Sequence, residues 1–297
     1  MRVLDFLRTP LVAIDVGTAT TRVSFGATRV VERSSVVRED LHGRVVAHST
    51  VRAGVVADIA GVANVIEELL AKRGTWRRRP AAIVCAPTDV SEAERDALIE
   101  AVAEAGASVA AVVPEPLAAA IGAGVDIGSE YATAVVDIGE GITDFAVFRG
   151  GAIIHSHARR IGCGTLRAAL RNRFELDGDD ATPRTDESIE EIVRAYCSGG
   201  TRTTHGLSRD EIRTVLEPEI DAIASFIAAT FRELPDGMAT EVIESGIYVT
   251  GGGAKLDRLV DRIEEKVGLP LTCAGEPLGA VIRGASEMLR NRRLLSA

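Results

Sequence analysis

The chain has 297 residues, 46% of them hydrophobic, enough apolar material to fill two cores of ordinary domain size. A formal net charge of −9 repels phosphate backbones and removes the main electrostatic drive for binding nucleic acid. No long uncharged apolar run is present, since even the Ala-rich stretch 109–125 carries Glu115 and two prolines, so no membrane-spanning helix is expected. Aromatic residues are only 4%, and small aliphatic side chains dominate, which is the texture of layered α/β packing. Residues 1–10 are too short and too interrupted by Asp5 for a secretory core, and Cys85, Cys163, Cys197 and Cys273 are scattered singly. A protein of the cytosol, its thiols reduced and mostly buried, is the expectation.

In chain order, 11–15 is an apolar run ending in Asp15-Val16-Gly17-Thr18, and Arg22-Val23-Ser24-Phe25 then alternates, which predicts a hairpin. A strand at 81–85 follows, then a helix opened by the capping box Ser91-Glu92-Ala93-Glu94, then a strand at 109–113. Ala134-Val135-Val136-Asp137-Ile138-Gly139 begins a second hairpin, with a turn at Arg149-Gly150-Gly151. The Asp-rich stretch 174–184 and the Gly/Thr-rich stretch 198–206 predict loops of a small subdomain. A second capping box, Ser208-Arg209-Asp210-Glu211, opens a helix to about Phe231, and Ile247-Tyr248-Val249-Thr250 is a strand before Gly251-Gly252-Gly253. The two hairpins align with Asp15 on Asp137, Gly17 on Gly139 and Thr21 on Thr143, each pair 122 positions apart, which predicts two related lobes.

The chemistry concentrates at three turns. A carboxylate at a strand end beside a glycine turn can hold a metal's water shell while bare backbone N–H groups donate to phosphate oxygens. Asp15 with Gly17, Thr18, Ala19 and Thr20 suits one phosphate, and Asp137 with Gly139, Glu140 and Gly141 the next. Each hairpin taken singly is equally a tight turn that needs glycine. Gly251, Gly252, Gly253 and Ala254, between a strand and a helix, let a ring or sugar approach the backbone. His155 and His157 share a strand face, where a structural role outweighs metal binding for want of a third ligand nearby.

With these residues in place, the sequence resembles the actin and heat-shock ATPase superfamily and, within it, the bacterial MreB family. The resemblance lies in Ala13-Ile14-Asp15-Val16-Gly17-Thr18-Ala19, Gly54-Val55-Val56-Ala57-Asp58, Val136-Asp137-Ile138-Gly139, Arg160-Ile161-Gly162 and Val249-Thr250-Gly251-Gly252-Gly253-Ala254. Most specific is the block Glu115-Pro116-Leu117-Ala118-Ala119-Ala120-Ile121-Gly122-Ala123-Gly124. The resemblance implies an α/β, actin-like ATPase fold of two ribonuclease-H-like lobes around a nucleotide cleft. Lobe I would take residues 1–130 with 278–297 returning to it, and lobe II residues 131–277 with an insertion at about 174–207. It implies ATP and Mg²⁺ as cofactors, the ion held largely through water by Asp15 and Asp137, with Glu115, Asp137 and Thr143 catalytic and Gly162 beside the ligand.

The resemblance also has departures. The family's Gly-Gly-Gly-Thr-Thr is here Gly139-Glu140-Gly141-Ile142-Thr143, which replaces a hydroxyl implicated in hydrolysis, so any turnover is expected to be slow. Arg-Ile-Gly-Gly-Asp becomes Arg160-Ile161-Gly162-Cys163-Gly164, and the Glu-x-x-Lys pair at the ribose and base appears as Glu191-Ile192-Val193-Arg194. The outer subdomain of lobe I, around residues 31–51, is shortened.

The partners implied are other copies of the chain in a homopolymer, cell-wall synthesis or cell-shape proteins, and the inner membrane surface. The membrane candidates are an N-terminal face of Val3, Leu4, Phe6 and Leu7, and the basic loop around Trp76, which a solvated loop explains as well. A non-polymerising accessory ATPase is the rival reading; a metabolite kinase ranks below both, because no acceptor-activating Asp is evident.

Overall fold

The structure is a computed structural model that describes residues 9–26, 29–41, 44–74, 78–176, 185–199 and 206–291. The N-terminal segment 1–8 and Trp76 lie outside the described residues.

The first half opens with β1 (Leu11–Val16), β2 (Thr20–Ser24), β3 (Val30–Ser34), β4 (Val36–Leu41), β5 (Arg44–Ser49), β6 (Val51–Arg52) and β7 (Val55–Val56). It continues through α1 (Ile59–Ala71), β8 (Ala81–Ala86), α2 (Glu92–Glu104), β9 (Ser108–Pro114) and α3 (Glu115–Gly122). The second half runs β10 (Thr133–Ile138), β11 (Thr143–Arg149), β12 (Ala152–Arg159), α4 (Cys163–Leu176), α5 (Asp186–Cys197), α6 (Arg209–Arg232) and α7 (Asp236–Ser245). It closes with β13 (Ile247–Gly251), α8 (Asp257–Val267), β14 (Leu271–Cys273) and α9 (Ala280–Arg290).

Two five-stranded sheets carry the two lobes, ordered β3-β2-β1-β8-β9 and β12-β11-β10-β13-β14. The orders are the same, and so is the register: Asp15 opposes Arg22 across β1 and β2, while Asp137 opposes Asp144 across β10 and β11. Both members of the second pair lie 122 positions beyond the first, so the repeat read from the hairpins is a repeat of the whole sheet edge. The segment expected as a shortened outer subdomain is the β4–β5 hairpin, a two-stranded sheet of its own.

Period-two alternation divides each central strand between two cores. Val12, Ile14 and Val16 join the outer core of lobe I with residues of α1 and α2, whereas Ala13 faces inward. In β10, Ala134, Val136 and Ile138 face the helices of lobe II, and Val135 faces inward. The inner core between the sheets is built from Ala13, Ile83, Val135, Ala146 and Phe148 together with Leu117 and Ala118 of α3 and Ile282 and Ala285 of α9. α3 follows β9 of the first sheet but packs on β10 and β11 of the second, and α9 follows the second sheet but packs on β1 and β8 of the first. The division expected at residue 130 thus falls just before β10, in a chain whose connecting helices are exchanged between the lobes.

Local chemistry sets the helix starts. Both expected capping boxes form: the Ser91 hydroxyl accepts from the Glu94 N–H, the Ser208 hydroxyl accepts from the Glu211 N–H, and each glutamate returns the bond to its serine backbone. The loop expected over 174–184 is corrected at its start, because α4 continues to Leu176. Residues 177–184 and 200–205 lie outside the described residues. Between them, α5 presents Ile189, Ile192, Val193 and Tyr196 to the lobe II core at helical spacing, so this insertion is rooted in that core.

α3 and α9 touch backbone to backbone. A Cβ on Gly122 would lie 1.9 Å from the Ala280 carbonyl oxygen, and one on Gly284 would lie 1.8 Å from that of Ala118. Gly284→Ala is expected to lower unfolding free energy by about 1–3 kcal/mol, because neither backbone can retreat from the packed inner core. Gly237→Ala in α7, where a Cβ meets nothing within 4 Å, should be neutral or slightly stabilising. Urea denaturation of the two variants checks the contrast.

Candidate functional site

The β1–β2 and β10–β11 turns face each other across a cleft of about 620 Å³ between the lobes. They are built alike: the Gly17 N–H donates to the Thr20 carbonyl at 3.2 Å, and the Gly139 N–H donates to that of Ile142 at 2.9 Å. The turns also meet. A Cβ on Gly141 would lie 2.5 Å from Thr18 Oγ1 and 2.8 Å from Ala53 Cα, so this glycine serves close approach between lobes. Thr18 Oγ1 is fixed by the Gly54 N–H at 2.9 Å, and Ile142 packs against Gly54. Gly251 needs its glycine twice over, with φ +78° and a would-be Cβ 2.4 Å from the Ile138 carbonyl oxygen. At the other end, Leu256, Pro277, Leu278 and Val281 form an apolar wall beside Lys255.

The cleft floor is acidic. Asp15, Glu115 and Asp137 line it and are all buried, and Asp144 is buried on β11 alongside. Burial raises the Asp137 pKa to about 7; the Thr250 hydroxyl, donating at 2.7 Å, opposes the shift, and the charges of Asp144 and Asp15 add to it. Asp144 is raised to about 6 by burial, against hydrogen bonds from the Thr88 hydroxyl at 2.5 Å and the Thr88 N–H at 3.2 Å. Asp15 is raised by burial despite Arg22, and Glu115 stands well above its ordinary value through burial and then the charges of Asp144, Asp15 and Asp137. Asp144 Oδ2 is buried and has no hydrogen-bond partner among the described residues.

Such a floor fits a cation. Among the described residues no three His, Cys, Asp or Glu side chains converge closely enough to ligate one ion directly, so the fit is to an ion held through its water shell. Above the floor, the turn backbones and the Gly251–Gly252 segment are open to an anionic ligand and a flat ring.

Of the residues singled out from sequence, Asp15, Gly17, Thr18, Ala19, Thr20, Glu115, Asp137, Gly139, Glu140, Gly141, Arg194, Gly251 and Gly252 line this cleft. Gly54, Ile142 and Cys163 line it too, whereas Thr143, Gly162, Glu191, Gly253 and Ala254 are not among its lining residues. Thr143 is fully buried and donates its hydroxyl to the Ile161 carbonyl at 2.9 Å, because strand alternation turns it away. Gly162 supports the β10–β11 turn from behind, where a Cβ would meet the Gly139 carbonyl oxygen at 2.5 Å. Gly253 and Ala254 are buried, Gly253 against Ile138. Glu191 belongs to the neighbouring groove; the carboxylate that reaches the cleft is Glu190, one residue earlier and on the inward side of α5. His155 and His157 lie on β12, the His157 ring edge-on to Phe226 at 5.8 Å. Cys85, Cys163 and Cys197 are buried and Cys273 is exposed.

Sequence reasoning missed several residues here. Arg167 of α4 bridges Glu140 at 2.8 Å and Glu190 at 2.6 Å, tying the β10–β11 turn to α5. Arg160, read from sequence only as part of its motif, spans the lobes to Asp89 at 3.1 Å and Glu94 at 2.9 Å, and holds the Glu94 pKa down to about 2. Arg22 and Asp144 were legible: each is a charge inside a strand, and they stand at the repeat offset from one another.

Two like lobes with exchanged helices, and an aspartate turn from each facing a shared cleft, define an actin-like fold. Among solved structures, MreB5 of Spiroplasma citri bound to AMPPNP superposes with a TM-score of 0.83 at 21% identity, over 96% of this chain and 97% of that one. The MamK double helical filament superposes at 0.78 with 17% identity, over 96% and 99%. Residues 39–297 match the sequence model of the MreB/Mbl protein family, and the chain belongs to that family of actin-like cytoskeletal proteins. It is 29% identical to the cell shape-determining protein MreB of Escherichia coli K12 over 266 residues, 83% of this chain and 77% of that protein. To the cell shape-determining protein Mbl of Bacillus subtilis it is 29% identical over 269 residues, 84% and 80%.

The floor carboxylates give a pH dependence of defined sign. Asp137 and Asp144 have pKa values raised to about 7 and about 6 from an ordinary 3.8, so they bind protons on folding. Their contribution favours the fold below about pH 4 and is lost as pH rises through 6 and 7. The ligand-free protein is expected to melt lower at pH 8 than at pH 6. Asp137→Asn should flatten that slope and stabilise the protein at pH 8 by on the order of 1 kcal/mol or more. Melting curves across that interval check both.

Proposed function

We propose that this protein binds ATP with Mg²⁺ in the cleft and polymerises head to tail into filaments at the cytoplasmic face of the inner membrane, serving cell shape or cell-wall synthesis. The observation that carries the reading is the pair of matched turns, each with a buried aspartate, set face to face over one acidic floor. The Spiroplasma citri relative was solved with AMPPNP and with ADP, and MamK as a filament, which supports nucleotide binding and self-association.

In this reading the turn backbones around Gly17 and Gly139 donate to phosphate oxygens, and the apolar wall of Leu256, Pro277 and Leu278 receives the base. Asp15 and Asp137 would hold the ion's water shell, and Mg²⁺ would supply positive charge between the acidic floor and the phosphates. Glu115, at the first position of α3 on that floor, orients the attacking water. Ile142 lines the cleft and offers that water no hydroxyl, so turnover is slow. The N-terminal anchor candidate, and Trp76 of the loop candidate, lie outside the described residues; among the described residues no helix is long and apolar enough to cross a membrane. A non-polymerising accessory role is favoured by one observation, the reduction of the outer part of lobe I to the β4–β5 hairpin. Ultracentrifugation with Mg-ATP separates the two: pelleting supports the filament, and a soluble, nucleotide-bound monomer supports the accessory protein.

Saturating Mg-ATP is expected to raise the melting temperature, with about 2.7 kcal/mol of stabilisation at a hundredfold excess over Kd. Asp137→Ala should lose most of that shift; an unchanged melting temperature for wild type would mean an empty cleft. Ile142→Thr is expected to raise phosphate release on the order of tenfold in a steady-state assay, and Glu115→Ala to abolish it.

A further inference from the structure

The sheet repeat places unlike charges at equivalent positions beside the two floor aspartates. Asp137 opposes Asp144 across the lobe II hairpin, and Asp15 opposes Arg22 across the lobe I hairpin. Arg22 lines the cleft, with its side chain 18% exposed. Its Nη1 donates to Asp15 Oδ2 at 3.4 Å and its Nε to Glu32 Oε2 at 3.0 Å, and among the described residues Nη2 makes no hydrogen bond. The guanidinium therefore stands over the floor with donors to spare. The other arginines of the lining are engaged with glutamates, Arg167 with Glu140 and Glu190 and Arg194 with Glu190, and Lys255 belongs to the same lining.

A polyphosphate entering this cleft meets buried carboxylates and needs positive charge on both sides of the floor. Across its own hairpin Asp137 faces another acid, Asp144, one of whose oxygens has no hydrogen-bond partner among the described residues. On the lobe I side the charge is already present, on a planar fork whose N–H groups match phosphate oxygens. We propose that Arg22 is a resident counter-cation that binds the polyphosphate on the lobe I side, so that nucleotide affinity in this protein depends only weakly on a divalent ion. The proposal rests on the nucleotide reading above. Arg22 also weighs on Asp15 and Asp137 together, lowering the pKa of both against the rise from burial, which is the influence of a charge that serves the whole floor.

The test is calorimetric titration of the full chain with ATP, once in Mg²⁺ and once in EDTA, for wild type, Arg22→Gln and Arg22→Lys. Wild type should lose less than about tenfold in affinity on chelation, whereas Arg22→Gln should lose about 10- to 100-fold more than wild type in EDTA, the worth of one charge-assisted contact. In Mg²⁺ that variant should lose less affinity than it does in EDTA, and Arg22→Lys should keep most of the tolerance of EDTA. Melting of the ligand-free variants reports whether the fold survives; if Arg22→Gln does not fold, the wild-type ratio and Arg22→Lys decide. A wild-type loss above about 100-fold on chelation, or the same ratio in Arg22→Gln as in wild type, overturns the role of Arg22 and leaves nucleotide binding standing. ATP that binds wild type in neither condition overturns both.

Discussion

The rest of the molecule depends on the backbone contact between α3 and α9. Gly122 against Ala280 and Gly284 against Ala118 bring the helix pair closer than side chains permit, and that pair fills the space between the sheets with alanine, leucine, isoleucine and methionine. The separation of the sheets sets how far apart the β1–β2 and β10–β11 turns lie. Glu115 is the first residue of α3, so the same contact fixes the height of its carboxyl in the cleft. Because each helix packs on the sheet of the opposite lobe, neither lobe completes its inner face alone.

On that frame the cleft concentrates an electrostatic cost. Asp15, Glu115, Asp137 and Asp144 are buried near one another, burial raises all four, the charges of Asp144 and Asp15 add to the rise at Glu115 and Asp137, and the hydrogen bonds from Thr88 and Thr250 satisfy only part of them. A fold that holds such a floor is poised for positive charge, and the position and burial of Asp144 Oδ2 say where it is still missing. The lobes are meanwhile joined by contacts that can break without unfolding either one: Thr88 to Asp144, Arg160 to Asp89 and Glu94, and the Gly141–Thr18 approach. Thr88 of lobe I donates to Asp144 of lobe II, so the charge state of that carboxylate and the relative position of the lobes are coupled.

Much of this was legible in the sequence for a plain physical reason. Strand alternation, glycine at tight turns and serine–glutamate capping boxes are local, and they specified the two hairpins, the start of α2 and α6, and a repeat of 122 positions that recurs in the sheet register. The backbone-lined parts of the cleft, Gly17 to Thr20 and Gly139 to Gly141, sit where those local signals placed them.

What only the tertiary structure decided is which side chains of a correct element reach the cleft and what they meet there. Thr143 belongs to the right strand but faces the core, and Glu191 to the right helix but lies one residue past the inward position held by Glu190. The Arg167 bridge from Glu140 to Glu190, the Arg160 ties between lobes and the exchange of α3 and α9 join residues far apart in the chain, and composition and periodicity carry no record of such pairs. Sequence alone determined the elements, because helix and strand preferences act over a few residues. The floor's raised pKa values and the place of Arg22 within it came from burial, which exists only once both lobes have closed over the same aspartates.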